Sequence, residues 1–383
     1  MEYKLAAVFF TNHADTVGNS NRLRILKFLS EAFNLVLYTN HKMAEFDTFI
    51  NTEVKHLSDR QFGRWSLLSD LALWRTIAKK VNSARPDLLF LFHDTAPIAL
   101  WTDSPCFQYV RQTHEMLGID VKKLHLKLLK RINEFLILKG LRKSKTIFAV
   151  SEPIIEYLNK KGLTNLVLIP HGVHLQMYKN PIITDFHQTV VGLREQGKFV
   201  IGYTGWVSEN RGLWVMLKGI KESVQEDSKI IFVIVGGEGK YLNIIKNFAE
   251  ENGLRDNILS YGRIDHSLIP GILAQTHLCL SFLDVIPTYE MSPPQKVIEY
   301  FAAGKPVIGN KIKTHEILIR HGVNGLIVDN NAPALAKAIL SLVKDGSLRE
   351  KLSHNAAKSA IRHDFDTIYG KIVTEMKNFL NGG

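Results

Sequence analysis

The sequence predicts an α/β protein of two Rossmann-like domains with parallel sheets. Three observations predict it: the length of the chain, short apolar runs that alternate with amphipathic stretches, and one interior segment where the alternation stops. At 383 residues the chain exceeds what one ordinary core serves and suits two domains of roughly 150 to 200 residues, with a cleft between the two lobes. Hydrophobic residues make up 45% and charged residues 22%, a balance that supports packed cores and excludes a disordered or fibrous chain.

In the first half the apolar runs are LAAVFF, LVLYT, LLFLF and TIFAVS, with an amphipathic stretch Asn21 to Phe33 after the first. The second half repeats the rhythm with FVIGYTG, IIFVIVGG, LCLSFL and PVIGN, separated by helical patterns at Leu213 to Val224, Leu242 to Asn252 and Val297 to Ala303. Between the halves, IPHGVHLQMYKNPIITDFHQTVVGLREQGK loses the alternation and carries Pro170, Gly172 and Pro181, which places the boundary near residues 175 to 197. The domains expected are 1–180 and 195–362. After Val328 the pattern is helical, with a last helix around Phe365 to Leu380.

The opening MEYKLAAVFFTNHAD reads as a strand rather than a signal peptide, and no apolar run approaches the length of about 20 residues that spans a bilayer. Cys106 and Cys279 stand far apart without ligand spacing, so a disulfide framework or zinc site is not expected and a reducing, cytoplasmic setting fits. The net charge of +11 points to a polyanionic partner. Much of it lies between residues 121 and 145, where Lys122, Lys123, Lys127, Lys130, Arg131, Lys139, Arg142, Lys143 and Lys145 face a single acid, Glu134. Val121, Leu124, Leu128, Ile132 and Phe135 recur there at helical spacing, which predicts a core-facing stripe with basic residues on the other faces. A solvated surface helix and a helix drawn to an anionic membrane both fit. Nucleic acid is disfavoured, since no nucleic-acid motif accompanies the charge.

In open α/β sheets ligands bind beyond the carboxyl ends of the strands, so the loops after the apolar runs are where chemistry is expected. After the first run comes TNHADTVGNSNR, in which Gly18 precedes a helix starting near Asn21; such a junction receives anions or sugars through free N–H groups. The richest segment is PTYEMSPPQKVIEYFAAGKPVIGN, Pro287 to Asn310. Pro293 and Pro294 preset a turn, and the following helix carries Lys296 and Glu299 on the crevice side. Ribose hydroxyls donate well to a carboxylate, which makes Glu299 a ligand candidate; a solvated helix acid is the alternative.

This segment resembles the donor-binding motif of glycosyltransferase family four, in which an acid, seven intervening residues and a glutamate precede a helix ending A-x-G-x-P-V-I. EYFAAGKPVI matches the second half; in the first, Met291 stands at the acid's position and Glu290 lies one residue early. FVIGYTGWVSENRGLWVMLKGI resembles the family's phosphate loop, with Arg211 at the second basic position and Trp206 at the first. VIVGGEGKYL, ILSYGRIDHSLIPGILAQTHLCLSFLD, HGVNGLIVD, AVSEPIIEYLNKKG and LIPHGVHLQMY extend the resemblance over almost the whole chain.

The resemblance implies a GT-B fold with two parallel sheets facing a central cleft, and a last helix, about 363–383, crossing back to the N-terminal domain. It implies a retaining transfer of a hexosyl group from a UDP- or GDP-linked sugar to a lipid-linked or envelope glycan, without metal or other cofactor; the basic helix 121–145 adds the expectation of a cytoplasmic protein peripheral on the inner membrane face. The donor would be held by Gly18, Gly205, Arg211, Gly262, Arg263, Ile264, Ser292, Pro293, Lys296 and Glu299, with Lys296 or Arg263 supplying the charge that Trp206 lacks. His114, beside Glu115 in RQTHEMLG, would face the transferred sugar, and the catalytic candidates are His114, Arg211 and Glu290; His93-Asp94 is a competing pair. The rival readings are a nucleotide-sugar epimerase, a nicotinamide-dependent dehydrogenase, weakened by the absence of GxGxxG, and a non-catalytic nucleotide-sugar-binding protein.

Overall fold

A computed structural model of the chain describes residues 3–10, 17–40, 43–57, 67–111 and 124–382. The chain divides into two compact units, residues 1–171 with 367–383, and residues 172–366. The segment where the sequence loses its alternation packs into the second unit. Tyr178 and Val190 join that unit's core, and the His187 ring meets the Leu268 carbonyl at 2.9 Å.

The first unit holds β1 (Lys4–Phe9), β2 (Asn34–Thr39), β3 (Thr52–His56), β4 (Leu88–Phe92), β5 (Cys106–Val110), β6 (Ser144–Ala149) and β7 (Leu166–Leu168), in the order β3-β2-β1-β4-β5-β6-β7. The second holds β8 (Phe199–Thr204), β9 (Ile230–Val235), β10 (Ile258–Tyr261), β11 (Leu278–Ser281), β12 (Val307–Asn310) and β13 (Gly325–Val328), ordered β10-β9-β8-β11-β12-β13. Every strand pairing is parallel. The central strands β4, β5, β8 and β9 are buried along their whole length, as expected of strands covered on both faces by crossover helices. In each sheet the order reverses beside its first strand, between β1 and β4 and between β8 and β11. Loops diverge there and leave a crevice at the carboxyl ends.

Three helices follow β13, at Ala332–Lys344, Gly346–Ile361 and Phe365–Leu380. The last enters the first unit, where Phe379 packs edge-on against Phe107 of β5 with ring centroids 5.7 Å apart.

The basic helix, Leu124–Arg142, differs from its expected orientation. Leu128, Ile132 and Phe135 point outward, with Leu128 59% and Phe135 51% exposed. The buried stripe is Glu134, Ile137, Leu138 and Leu141, which has the same helical spacing. Glu134 sits in it because the Tyr157 hydroxyl donates to its carboxylate at 3.1 Å. Gly140 sets the depth of packing, since a Cβ there would lie 2.1 Å from the Ala96 carbonyl oxygen.

Candidate functional site

The crevice between β8 and β11 is built by two loops. The first leaves β8 at Thr204, whose N–H donates to the buried Tyr300 hydroxyl at 2.8 Å. Gly205 follows with φ +115°, and its carbonyl lies so close to Gly236 that a Cβ on the latter would meet it at 2.0 Å. The Tyr203 hydroxyl donates to the Trp206 carbonyl at 2.7 Å, which fixes the turn from below. A 3₁₀ turn, Glu209–Arg211, then delivers Arg211 to the crevice before the helix Leu213–Glu226 begins.

The second loop leaves β11 at Ser281 and is braced from β12. Leu283 N–H donates to Asn310 Oδ1 at 2.9 Å, and Asn310 Nδ2 returns a bond to the Leu283 carbonyl at 2.8 Å. His315 Nδ1 bonds the Asn310 carbonyl at 2.9 Å and must donate, so Nε2 accepts from the Ser281 hydroxyl at the same distance. That makes the ring neutral, in keeping with a pKa that burial pushes down to about 4. The Thr314 hydroxyl donates to the Tyr289 carbonyl and holds the short helix Pro287–Met291. Ser292 and Pro293 link it to the helix Gln295–Ala302, which presents Lys296 and Glu299.

Lys296 is only 8% exposed and Glu299 9%, so Glu299 is no solvated helix acid. His266 Nε2 lies 3.1 Å from Glu299 Oε1. Lys296 Nζ sits 3.6 Å from the centroid of the Tyr203 ring. Burial drives its pKa well below that of an ordinary lysine; the positive charge of Arg211 acts in the same direction and Glu299 against both. The Arg211 guanidinium lies over the Tyr289 ring at 5.4 Å, and its buried Nε has no hydrogen-bond partner among the described residues. Trp206, 52% exposed, borders a pocket of about 570 Å³ together with Asn210, Arg211, Tyr241 and Tyr289.

Of the residues singled out in the sequence, the structure gathers Gly205, Arg211, Ser292, Pro293, Lys296 and Glu299 on the two loops of this crevice and the helix that follows them. Glu290 lies in the short helix Pro287–Met291, partly exposed. Gly262, Arg263 and Ile264 follow β10. Gly262 approaches Leu242, while Arg263 is exposed and turned to Glu238 at 3.9 Å, an ion pair at the surface. In the first unit the helix after β1 starts at Val17, four residues earlier than expected, so Gly18 lies within it rather than before it. His114 and Glu115 lie outside the described residues. Asp94 of the His93-Asp94 pair receives a bond from Arg22 Nη1 at 2.9 Å.

The sequence does not mark out Tyr203, Tyr300, Asn310, His266 or His315. A buried tyrosine or asparagine reads as core until its hydrogen bonds are seen, and only Tyr203 and Asn310 carry the signal of lying at strand ends. Among the described residues no group of three or more His, Cys, Asp or Glu forms a metal-binding cluster.

The sequence matches the family Glycosyl transferases group 1 over residues 187–359, the part that contains this crevice, and Glycosyltransferase Family 4 over residues 22–177. It is 24% identical over 159 residues to the alpha-D-kanosaminyltransferase of Streptomyces kanamyceticus, covering 41% of this chain and 40% of that protein. It is 23% identical over 312 residues to the glycosyltransferase YtcC of Bacillus subtilis, covering 74% of this chain and 70% of that protein. The solved structure of HepE from Anabaena in complex with UDP and glucose superposes with a TM-score of 0.75 at 17% identity, over 98% of this chain and 100% of that one. The fold shared with it is GT-B.

Proposed function

The chain belongs to glycosyltransferase family four, and we propose that it moves a hexosyl group, with retention of configuration, from a UDP- or GDP-linked sugar to a lipid-linked or envelope glycan. One observation supports this most: the β8/β11 crevice gathers a guanidinium whose Nε has no partner among the described residues, a buried lysine and a buried carboxylate, and Arg211 and Glu299 stand at positions of the family's donor motifs. In the proposed arrangement Glu299, steadied by His266, accepts from the ribose hydroxyls, and residues Gly262 to Ile264 flank the base. Arg211 and the first N–H groups of the helix Gln295–Ala302 neutralise the β-phosphate as the bond to the sugar breaks. His114 positions the sugar, and the acceptor hydroxyl replaces the nucleoside diphosphate on the same face. HepE, with UDP and with UDP-glucose bound, supports the choice of donor class.

A screen of nucleotide sugars by thermal stabilisation, followed by mass-spectrometric detection of the released nucleoside diphosphate, tests the reading. UDP- or GDP-sugars are expected to stabilise the protein, and Glu299→Ala to abolish that. An unchanged response in Glu299→Ala would remove the assignment.

The acceptor class follows the outward ridge of the basic helix. Among the described residues no helix is long and apolar enough to cross a membrane. Leu128, Ile132 and Phe135 nevertheless form an exposed apolar line flanked by Lys127, Lys130 and Arg131, with Lys139 folded over Phe135 at 4.8 Å. In the proposed setting, the cytoplasmic face of a membrane, that line enters the headgroup region while the cations meet anionic lipid. Leu128→Ser with Phe135→Ser should lower partitioning to phosphatidylglycerol vesicles by roughly tenfold or more, from about 1.5 kcal/mol or more of lost apolar burial. Unchanged sedimentation would return the ridge to water.

A further inference from the structure

Lys296 is a buried amine without an anion beside it. Among the described residues no hydrogen bond or ion pair holds its ammonium; its one contact of that kind is the Tyr203 ring. An ammonium left so in a protein interior is destabilising unless it loses its proton or gains a counter-charge. The surroundings explain why the fold offers none. Arg211, from the 3₁₀ turn, is a second cation acting on it. Glu299, one turn along the same helix, lies against His266. Tyr203 of β8 is held protonated, burial pushing it up to about 12, and its hydroxyl is committed to the Trp206 carbonyl. His315, on which the lysine's charge acts, is itself neutral. Lys296 Nζ lies under the Gly205 turn, 3.4 Å from where a Cβ on that glycine would stand, so the turn leaves the ammonium a path to the crevice.

We propose that Lys296 is a proton-coupled anchor for the diphosphate: with Arg211 it forms a two-cation cradle, and the lysine takes up a proton from solvent as the nucleoside diphosphate binds. This rests on the donor reading above. It gives that reading the second charge that Trp206 does not supply, and places it beneath the loop instead of on it. The proton balance is simple, the neutral amine and one proton from buffer giving the ammonium that faces the phosphate oxygens. A depressed lysine pKa in the free protein supports it, since an anion at the site raises that pKa again. Affinity for the diphosphate then falls as pH rises through the window between the free and bound values. A monophosphate, reaching Arg211 alone, takes up less.

The test is calorimetric titration of the full chain with UDP and with GDP at pH 8, where the nucleotide's own phosphates are fully ionised, in buffers of different ionisation enthalpy. Wild type is expected to take up a substantial fraction of one proton per diphosphate bound, and distinctly less with UMP. Lys296→Met keeps the unbranched stem out to the ε carbon and removes the ammonium. It should abolish the uptake, weaken diphosphate binding by about 10- to 100-fold, and raise the melting temperature of the free protein by about 2–4 °C, because an uncompensated buried amine is gone. Diphosphate binding without proton uptake, or uptake and affinity unchanged in Lys296→Met, overturns the anchor while leaving the donor site standing. If neither UDP nor GDP binds wild type, the donor reading fails and the anchor with it. Lysine serving only the packing would show the opposite signature, a less stable Lys296→Met protein with wild-type affinity.

Discussion

The two units repeat one topology and close their switch points differently. At the carboxyl ends of β1 and β4, Arg22 meets Asp94 Oδ2 at 2.9 Å and stacks on Phe92, so the two charges pair within the protein, although Asp94 Oδ1 has no hydrogen-bond partner among the described residues. At the carboxyl ends of β8 and β11, Arg211 and Lys296 lie on aromatic rings, and the nearby carboxylate, Glu299, is turned to His266. A parallel sheet with a reversed strand order therefore provides the crevice but not its charge. The residues on the loops and helices that follow each strand decide whether the fold neutralises itself or leaves charge unpaired. In the second unit the burial of Lys296 beside Arg211 raises the cost of the empty state, a cost that, under the proposed function, binding of a diphosphate offsets.

The difference is broken most directly by removing one arginine from each unit. Arg211→Ala should lower kcat/KM for the nucleotide sugar by about 10² or more, with stability held or increased. Arg22→Ala should leave UDP affinity near wild type and lower stability by about 1–3 kcal/mol, less than for a fully buried pair because both side chains keep some contact with water. Donor kinetics and urea unfolding on the two variants would show either a crossed pattern or none. If Arg211→Ala destabilises and Arg22→Ala does not, the charges have been assigned to the wrong units.

Much of this is open to reading without coordinates. LLFLF and IIFVIV are runs that only a strand buried on both faces tolerates, and they form β4 and β9. Lys296 and Glu299 stand out because charges beside Pro293, Pro294 and an A-A-G helix stop have no easy route to solvent. The basic helix packs against expectation for a physical reason. Two stripes of equal spacing compete there, and periodicity favours the one without an acid. What decides the packing is Tyr157, twenty-three residues beyond Glu134, whose hydroxyl makes burial of that carboxylate tolerable. No local pattern encodes such a partner. The same holds for Tyr300, Asn310 and His315, whose roles come from strand order. Neighbours in sequence give no hint of His266 either, since it lies 33 residues from the glutamate it meets.

The smaller and finer test is the pH dependence of the two closures. Burial alone would raise the Asp94 carboxyl, but Arg22 and His93, with the hydrogen bond from Arg22, bring it below the usual aspartate value. The native state then binds fewer protons than the unfolded one near pH 4, so the stability Asp94 contributes is complete above about 4 and is lost as pH falls through its folded value. Lys296, also depressed, releases its proton on folding as well, but in a different window: stability rises with pH from the lysine's folded value up to about 10.4, the unfolded one. Asp94→Asn should therefore flatten the acid limb of the urea-unfolding profile and leave the alkaline limb as it is, and Lys296→Met should do the reverse. Saturating diphosphate should flatten the alkaline limb of wild type too, since a bound anion keeps Lys296 charged. If both variants alter the same limb, the two switch points share one electrostatic state, and the contrast between a self-neutralised and a waiting crevice no longer holds.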